Sequence, residues 1–232
     1  MPTGSRLKFA DQPWIVVSLT DRDSPSGRAL RKAGADVIEL RLDNFSSFSP
    51  AHLRKQIQRV KPLPVLATVR SKAEGGKWKG TEASRLELFR QVLPAVDGVD
   101  IELSAVQIRP ALVQAARRLK KTVVVSYHNF KKTPSSAELK KIVRAAAAAG
   151  ADIVKIATWV RSTRDLHVLG SLLMEGGPKP LAVIGMGEKG RATRLLFPSL
   201  GSRLTYVHTG RAMAPGQFDL ATMHHWLKRL KN

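Results

Sequence analysis

The sequence predicts an α/β protein that folds as a single (β/α)8 barrel, the TIM-barrel fold, over residues 1–232. Short β-branched and apolar runs alternate with helical segments eight times, with short connections and no linker or change of composition between them. The strands read as continuous apolar runs, which is typical of a parallel sheet buried on both faces. Eight such units in 232 residues favour a closed barrel over the alternative, an open doubly wound sheet.

The first four strand–helix units are expected in the N-terminal half of the chain. Ser24 and Pro25 are suited to open the first helix, and Gly34 to end it. The predicted strands are residues 14–19, 36–42, 64–70 and 98–103, and the helices after them are residues 24–34, 50–60, 82–93 and a segment that ends near residue 119.

The remaining four units follow the same alternation. Gly150 is a suitable stop for the fifth helix, because glycine accepts the left-handed conformation that often ends a helix. The predicted strands are residues 122–127, 152–157, 180–185 and 203–207, and the helices are residues 135–149, 162–174, 191–196 and 216–230.

The composition excludes several classes of protein. Hydrophobic residues make up 43% of the chain, enough to bury a core, so disorder over the whole length is not expected. The chain has no cysteine, which excludes disulfides, thiolate metal sites and a cysteine nucleophile, and fits a reducing cytoplasm. No apolar stretch approaches the ~20 residues of a membrane helix, and the run at residues 14–19 is too short for a signal peptide. We therefore predict a cytoplasmic protein without a membrane partner.

The formal net charge of +21, with a sequence pI near 11.0, is the most unusual bulk property. It favours either a surface that binds nucleic acid or a solvated surface that also attracts anionic substrates. The basic residues are scattered, and the densest run, residues 117–121, lies at a predicted helix end, where cations are favourable. Basic and aromatic residues do not alternate as in single-strand binders. We therefore predict no specific nucleic-acid partner.

Polar residues gather at the C-terminal ends of the predicted strands, where TIM-barrel active sites are built. The set comprises Glu39, Arg41 and Asp43 at the end of strand two, Arg70 at the end of strand three with Glu74 in the loop after it, Asp100 and Glu102 on strand four, His128 after strand five, Lys155 on strand six, Met186 and Arg194 after strand seven, and Gln217 after strand eight. A merely basic surface would not place its charges at one end of the barrel in this way.

Lys155 is the most informative single residue, because it lies within the apolar run Ile153–Ala157. A buried lysine is rare and costly unless it is paired or neutral, and a neutral amine is the form that attacks a ketone. The alternative is a structural lysine that pairs inside the barrel with Glu39 or Glu102. His128, one strand away, is the residue type that most often shuttles protons, although a lone histidine at a strand end is more often structural.

The charged neighbours suit a small anionic substrate. Arg41, Arg70 and Arg194 offer bidentate partners for carboxylates, although each alone is more often structural. Glu39 is suited either to bind substrate hydroxyls or to neutralise Arg41, two residues along the same strand face. Glu74 is suited to orient the imidazole of a nearby histidine.

Gly185–Gly190 matches the G-x-G-x-x-G pattern of dinucleotide-binding loops. No acidic residue follows at the end of the next strand, and the pattern falls in the seventh unit rather than the first. We therefore interpret the glycines as loop geometry over the barrel mouth. The histidines are scattered, and the adjacent His224 and His225 point in different directions on the last helix, so neither a metal site nor a cofactor is predicted.

These residues, in this order, resemble the type I 3-dehydroquinate dehydratases of the shikimate pathway, and the resemblance covers nearly the whole chain. Its anchors are the segments 39–43, Arg70 with 74–76, 126–130, 154–157, 186–190 with Arg194, and 214–217. The resemblance implies a lyase that dehydrates 3-dehydroquinate to 3-dehydroshikimate without a metal or nucleotide, and that commonly forms a homodimer.

The resemblance also implies a role for each matched residue. Lys155 would form the imine with the C3 ketone, while His128 would remove a C2 proton and later protonate the departing C1 hydroxyl. Glu74 would orient His128. The remaining matched residues would bind substrate: Arg194 and Gln217 the carboxylate side, Glu39, Arg41 and Arg70 the ring hydroxyls, and Met186 the ring face.

The sequence departs from the family pattern in the loop after strand eight. The family usually has a serine four residues before the glutamine, and this chain has Met213. A methionine cannot donate the hydroxyl hydrogen bond, and losing one hydrogen bond to a charged ligand costs about 1.5–3 kcal/mol. The change puts lid closure and substrate affinity in question, but not the imine chemistry. Asn129, where many relatives carry aspartate, is a milder change.

Two other functions compete with this interpretation. Another Schiff-base barrel, such as an aldolase that acts on a phosphorylated sugar, would keep Lys155 but would not need His128, Glu74 and Gln217 together. A basic nucleic-acid-binding barrel would bind DNA or RNA with a steep salt dependence and would be indifferent to Lys155→Ala. Residues clustered at the mouth argue against the second alternative, and the +21 charge argues for it.

Overall fold

The part of the chain that the structure describes contains nine strands, eight α-helices and two short 3-10 turns, and strands and helices alternate except where β9 follows β8. The structure is a computed structural model, and it describes residues 13–210 and 212–230. The strands are β1 (Trp14–Leu19), β2 (Val37–Arg41), β3 (Val65–Thr68), β4 (Gly98–Glu102), β5 (Thr122–Asn129), β6 (Ile153–Trp159), β7 (Leu181–Met186), β8 (Leu204–His208) and β9 (Phe218–Asp219).

The helices follow the strands in turn. They are α1 (Gly27–Lys32), α2 (Pro50–Arg59), α3 (Glu82–Val92), α4 (Arg109–Arg118), α5 (Ser136–Ala148), α6 (Thr163–Glu175), α7 (Thr193–Ser199) and α8 (Leu220–Arg229), and the 3-10 turns are Leu42–Asn44 and Lys72–Glu74. Side-chain caps start several of them, as at α5, where Ser135 and Glu138 form a reciprocal capping box.

The strands form one parallel sheet that curls into a barrel. Their order is β7-β6-β5-β4-β3-β2-β1-β8-β9, and the short β9 pairs with the end of β8. The two ends of the curl meet at β7 and β8, where the Arg203 N–H donates to the Leu181 carbonyl at 2.8 Å and the Val183 N–H donates to Ser202 Oγ at 3.0 Å. The predicted (β/α)8 barrel is confirmed, and the open doubly wound alternative is wrong.

Period-two alternation divides the strand residues between two apolar clusters. The larger cluster lies between sheet and helices. The smaller one fills the barrel interior and contains Val16, Val37, Leu66, Val124, Ile153, Ala157, Ala182, Ile184, Met186, Leu204 and Tyr206. On several strands the next inward position, two residues further on, is polar: Ser18, Glu39, Thr68, Ser126 and Lys155. The barrel is therefore apolar at its base and polar towards the C-terminal ends of its strands.

Several predicted element boundaries were wrong by two residues or more, including the ends of β3, at Thr68 rather than residue 70, and of β6, at Trp159 rather than residue 157. The last helix begins at Leu220 rather than residue 216, because Asp219 caps it by accepting from the Thr222 N–H, and Phe218 pairs with β8. The first helix begins at Gly27, because Ser26 is its N-cap. The helix after β7 is Thr193–Ser199 rather than residues 191–196.

The end of β5 was also predicted too early. The strand continues to Asn129 because His128 and Asn129 still pair with β6. His128 therefore lies on the strand rather than after it. Residues 1–12, 211, 231 and 232 of the predicted single domain lie outside the described residues.

Candidate active site

One pocket at the C-terminal ends of the strands contains every residue proposed from the sequence for catalysis or substrate binding. The lining includes Lys155, His128, Glu74, Glu39, Arg41, Arg70, Met186, Arg194 and Gln217, together with Ser18, Phe130, Tyr206, Met213 and Ala214. Strand ends far apart in the sequence are thus brought to a single cavity.

Lys155 projects from β6 into this pocket and is 5% exposed. Its Nζ donates to Asp100 Oδ2 at 3.1 Å and lies 3.9 Å from Glu39 Oε1. The same nitrogen lies 3.9 Å from the centre of the Tyr206 ring. The sequence led us to expect Glu39 or Glu102 as the ion-pair partner of Lys155. Glu39 does lie close to the amine, but the nearest carboxylate is that of Asp100 and not that of Glu102. The amine is thus buried and oriented by partners on three other strands.

Asp100 on β4 connects Lys155 to Arg70. Its Oδ1 accepts from Arg70 at 2.7 Å and from Ser126 Oγ at 2.6 Å. Burial alone would raise the pKa of the Asp100 carboxyl, but the charges of Arg70 and Lys155 outweigh that effect and hold this pKa far below its ordinary range. Asp100 is therefore a permanent anion beneath the amine. The sequence placed it near the mouth but gave it no role.

Both terminal nitrogens of the Arg70 guanidinium are engaged by protein partners. It donates to Ser126 Oγ at 2.7 Å and to Asp100, and lies 3.3 Å from Glu102 Oε1. Glu102 in turn pairs with the buried Arg85 and accepts from the Ser71 N–H at 2.8 Å. These contacts raise the pKa of Arg70 against the opposing effect of burial. A chain of alternating charges thus runs from Arg85 on α3 to Lys155.

Glu39 is held in place by two hydroxyl groups. Ser18 Oγ donates to Glu39 Oε2 at 2.7 Å, and Thr68 Oγ1 donates to Glu39 Oε1 at 2.9 Å. Arg41, the other cation of this strand, forms a bidentate ion pair with Asp43 at 3.0 and 2.9 Å. Asp43 is therefore the direct ion-pair partner of Arg41. Glu39, which lies near the lysine, adds a smaller attraction to the Arg41 charge.

His128 and Glu74 form a directly bonded pair. Glu74 Oε2 lies 2.9 Å from His128 Nδ1 and accepts from the His128 backbone N–H at 2.9 Å. Ser104 Oγ donates a short hydrogen bond to the other carboxylate oxygen. Both carboxylate oxygens of Glu74 accept hydrogen bonds, so an ionised Glu74 fits these contacts. Nδ1 of His128 then carries the ring proton that is donated to Glu74. The second ring nitrogen, Nε2, is then left as a proton acceptor.

The electrostatics of this pair keep the imidazole neutral. Burial, and then the charges of Arg70 and Lys155, lower the pKa of His128 well below its ordinary value. Burial also raises the pKa of Glu74, and its effect exceeds the opposite effects of the hydrogen bond from Ser104 and the charge of Arg70, which both lower this pKa. A neutral histidine beside a buried lysine is the protonation state that a general base needs.

The glycines of the Glu74 loop allow these contacts. Gly75 has φ +78°, and a Cβ there would lie 2.5 Å from the Phe130 ring, which stacks on His128 at an interplanar angle of 18°. A Cβ on Gly76 would lie 2.0 Å from the Arg70 carbonyl oxygen. Only glycine therefore lets this loop fold back over β3 and bring Glu74 to His128.

Arg194 and Gln217 lie on the opposite wall of the site. Arg194 is 3% exposed, donates only to the carbonyls of Tyr206 at 3.4 Å and Pro215 at 3.1 Å, and has no acidic partner among the described residues. Its buried Nε has no hydrogen-bond partner, and burial lowers the pKa of Arg194 to about 10. The site therefore offers an uncompensated cation to an anionic ligand.

Gln217 closes the loop that follows β8. Its side-chain oxygen accepts from the backbone N–H groups of Met213 at 2.7 Å and Ala214 at 3.2 Å. No described residue accepts a hydrogen bond from the Gln217 amide nitrogen, which is therefore placed to bind a ligand. Met213 lines the pocket where the resemblance led us to look for a hydroxyl.

The glycines of the G-x-G-x-x-G pattern pack against one another instead of forming an open cradle. A Cβ on Gly190 would lie 2.5 Å from the backbone of Gly185, and one on Gly187, at φ +81°, would lie 3.0 Å from the Trp159 ring. Close packing thus accounts for these glycines. Among residues 13–210 and 212–230, no cluster of three or more His, Asp or Glu side chains is arranged to hold a metal ion.

The fold and site together define a TIM-barrel protein with a lysine-centred acid–base pocket. The family model for type I 3-dehydroquinase matches residues 15–232. The chain belongs to this family.

Individual relatives agree over nearly the full length. The chain is 39% identical to the 3-dehydroquinate dehydratase of Methanosarcina barkeri, over 97% of this chain and 98% of the relative. The crystal structure of the Aquifex aeolicus 3-dehydroquinate dehydratase is 32% identical, with a TM-score of 0.82, over 93% of this chain and 98% of that one. The Geobacillus kaustophilus enzyme is 28% identical, with a TM-score of 0.85, over 95% and 91%.

Proposed function

We propose that the chain is a 3-dehydroquinate dehydratase of the shikimate pathway, a hydro-lyase that converts 3-dehydroquinate to 3-dehydroshikimate and water through a Schiff base on Lys155. Membership of the type I family and the full-length relatives support the activity. The observation that carries the residue assignment is the placement of the Lys155 amine and the His128–Glu74 pair in one pocket.

Lys155 begins the proposed reaction as the nucleophile. Its ammonium gives a proton to the neutral imidazole of His128, and the freed amine adds to the C3 carbonyl carbon. The carbinolamine takes that proton back from His128 and loses its hydroxyl as water, leaving a protonated imine. The positively charged nitrogen then withdraws electrons from C2, so that the C2 proton becomes acidic. Asp100 and Glu39 balance the charge that Lys155 carries before and after this step.

His128 is the proposed proton carrier. Its neutral imidazole takes the C2 proton on Nε2, while Glu74 stabilises the imidazolium that forms through the 2.9 Å contact at Nδ1. The imidazolium then protonates the C1 hydroxyl as it leaves as water, which restores the neutral ring. Water then hydrolyses the protonated imine, which releases 3-dehydroshikimate and restores the Lys155 ammonium. His128 thus serves as base and then as acid within one turnover.

The other side chains are proposed to bind the substrate. The uncompensated charge of Arg194, with the amide nitrogen of Gln217, is suited to the carboxylate. Glu39, Arg41 and Arg70 are proposed for the ring hydroxyls, and Met186 for the apolar ring face. Because Arg70 already has three protein partners, its larger contribution is to hold Asp100 in place.

Three properties of the proposed enzyme rest on the sequence. The lack of cysteine favours the cytoplasm, the family resemblance favours a homodimer, and the scattered basic residues favour no specific nucleic-acid partner. Among the described residues, no helix is long and apolar enough to cross a membrane.

The activity is tested by following the ultraviolet absorbance of the conjugated enone product after 3-dehydroquinate is added to the purified protein. We expect turnover by the wild type and a raised KM for Arg194→Met. Arg164→Met, which removes an exposed cation on α6, is the control for the general attraction of an anion by the basic surface. If the wild type formed no enone, the dehydratase assignment would be wrong.

A further inference from the structure

Tyr206 has no role in the chemistry described so far, yet it touches the reacting nitrogen. It lies on β8 with 4% of its surface exposed, in register with Val16 of β1. The centre of its ring lies 3.9 Å from Lys155 Nζ, well inside the distance of about 6 Å at which a cation is attracted to a ring face. Its side chain also lines the active-site pocket.

The partners of Lys155 differ in how they respond to imine formation. Asp100 binds the amine through a hydrogen bond of 3.1 Å, and Glu39 is an ion-pair partner at 3.9 Å. An ammonium group has three N–H donors, whereas a protonated imine has one. A ring face needs no donor, since it attracts the charge itself. Of these three contacts, the one with Tyr206 therefore depends least on the N–H groups that Lys155 loses when the imine forms.

We propose that Tyr206 is a further catalytic residue, whose ring face stabilises the protonated imine on Lys155 after the amine has given up its donors. This inference rests on the proposed function. The ring forms no bond and transfers no proton. It makes the charged adduct more stable relative to the free amine and ketone, and it holds the nitrogen above the ring while His128 acts on C2.

The surroundings favour a strong contact. The site is buried, so water screens the charge little, and cation–ring attraction is largest when both groups are desolvated. The Tyr206 hydroxyl is buried without a hydrogen-bond partner among the described residues, and burial raises the pKa of this phenol well above its ordinary value. Tyr206 is thus a neutral aromatic ring at all working pH values, and the ring rather than the hydroxyl is the active part.

Two substitutions separate the ring from the hydroxyl. Tyr206→Phe keeps the ring, and Tyr206→Leu removes it while keeping an apolar side chain. Phe89→Leu, a fully buried aromatic on α3 that does not line the pocket, is the matched control for loss of an aromatic from the core. Each variant is equilibrated with increasing 3-dehydroshikimate and reduced with borohydride, and the fraction with the added mass is measured. Thermal unfolding monitored by circular dichroism confirms that each variant is folded.

We expect Tyr206→Phe and Phe89→Leu to reach half-maximal trapping at the wild-type ligand concentration. Tyr206→Leu should need a concentration higher by roughly 5- to 30-fold, which corresponds to the usual strength of a buried cation–ring contact. If folded Tyr206→Leu trapped like the wild type, or if Tyr206→Phe lost trapping equally, the role of the ring would be refuted. Lack of any adduct in the wild type would overturn the proposed Schiff base itself, and with it this inference.

Discussion

Glu74 Oε2 lies 2.9 Å from both the Nδ1 atom and the backbone nitrogen of His128, so one carboxylate oxygen fixes both the ring and the main chain of the histidine. The imidazole cannot rotate without breaking the first contact, and the strand cannot shift without breaking the second. This relationship sets the tautomer of His128 and directs Nε2 into the pocket. It also makes the Glu74 loop, with its two glycines, part of the acid–base machinery.

Replacing Glu74 with glutamine should separate charge from geometry. The amide keeps one acceptor for the histidine but cannot stabilise an imidazolium, so we expect kcat to fall by about 10²-fold, at the lower end of the effect of general acid–base catalysis. KM should change much less, because Glu74 is not proposed to bind substrate. Steady-state kinetics provide the measurement. An unchanged kcat would show that the carboxylate is not needed to support His128.

The pH dependence of kcat/KM should report the unusual state of His128. Its pKa is lowered by burial and by Arg70 and Lys155, so protonation, and with it loss of the base, occurs only when the pH falls below the usual histidine value of about 6.5. We therefore expect kcat/KM to decrease on the acid side of the profile, its acid limb, only at a pH well below that value. Arg41→Met removes another cation that lowers this pKa, and should move the limb to higher pH. A limb at or above pH ~6.5 in the wild type would contradict the assignment.

Arg85 should contribute to stability although it does not reach the pocket. It is 1% exposed, donates to the Val69 carbonyl at 2.7 Å and pairs with buried Glu102. Arg85→Met leaves that carboxylate without its nearest counter-charge, and breaking a buried pair typically costs about 3–5 kcal/mol. Urea unfolding should show this loss, and the double variant Arg85→Met/Glu102→Gln should recover part of it. A loss below about 1 kcal/mol would mean that Arg70 alone satisfies Glu102.

Met213 occupies a position where the family resemblance led us to expect a serine. Its backbone N–H is already tied to Gln217 at 2.7 Å, so a serine placed there would present its hydroxyl to the pocket on a loop that is held in place. We expect Met213→Ser to lower KM about 10-fold, the effect of one hydrogen bond to a charged ligand. Met213→Ala is the control for removal of the thioether alone. Equal KM values for the two variants would show that the hydroxyl makes no contact with substrate.

Much of the site could be predicted from the sequence, because the C-terminal ends of all strands in a parallel barrel lie at the same end of the barrel. Lys155 in an apolar run, His128 on the neighbouring strand and Glu74 in a glycine loop are visible as residue types at fixed places in the alternation. The apolar runs also located all eight barrel strands. The boundaries that failed, such as the start of α8, depend on the local choice of a cap by Asp219 and on the pairing of Phe218.

The residues that were missed act through partners that lie far away in the sequence. Asp100 is the nearest counter-charge of Lys155, although 55 positions separate them, and only the curl of the sheet brings them together. Ser18 and Thr68, which hold Glu39, are small polar residues in apolar strands. Period-two alternation marks them as inward-facing, and that signal was available. The ring of Tyr206 gave no comparable signal, because an aromatic on a barrel strand ordinarily indicates only a core position.

The most direct test of the account is to identify the nucleophile. The purified protein is incubated with 3-dehydroquinate and reduced with borohydride, and the modified residue is located by intact mass and peptide mapping, with Lys155→Ala as the control. We predict one adduct, on the peptide that contains Lys155, and none in the variant. An adduct on another lysine, or enone formation by Lys155→Ala at the wild-type rate, would contradict the central claim that this buried amine forms the Schiff base.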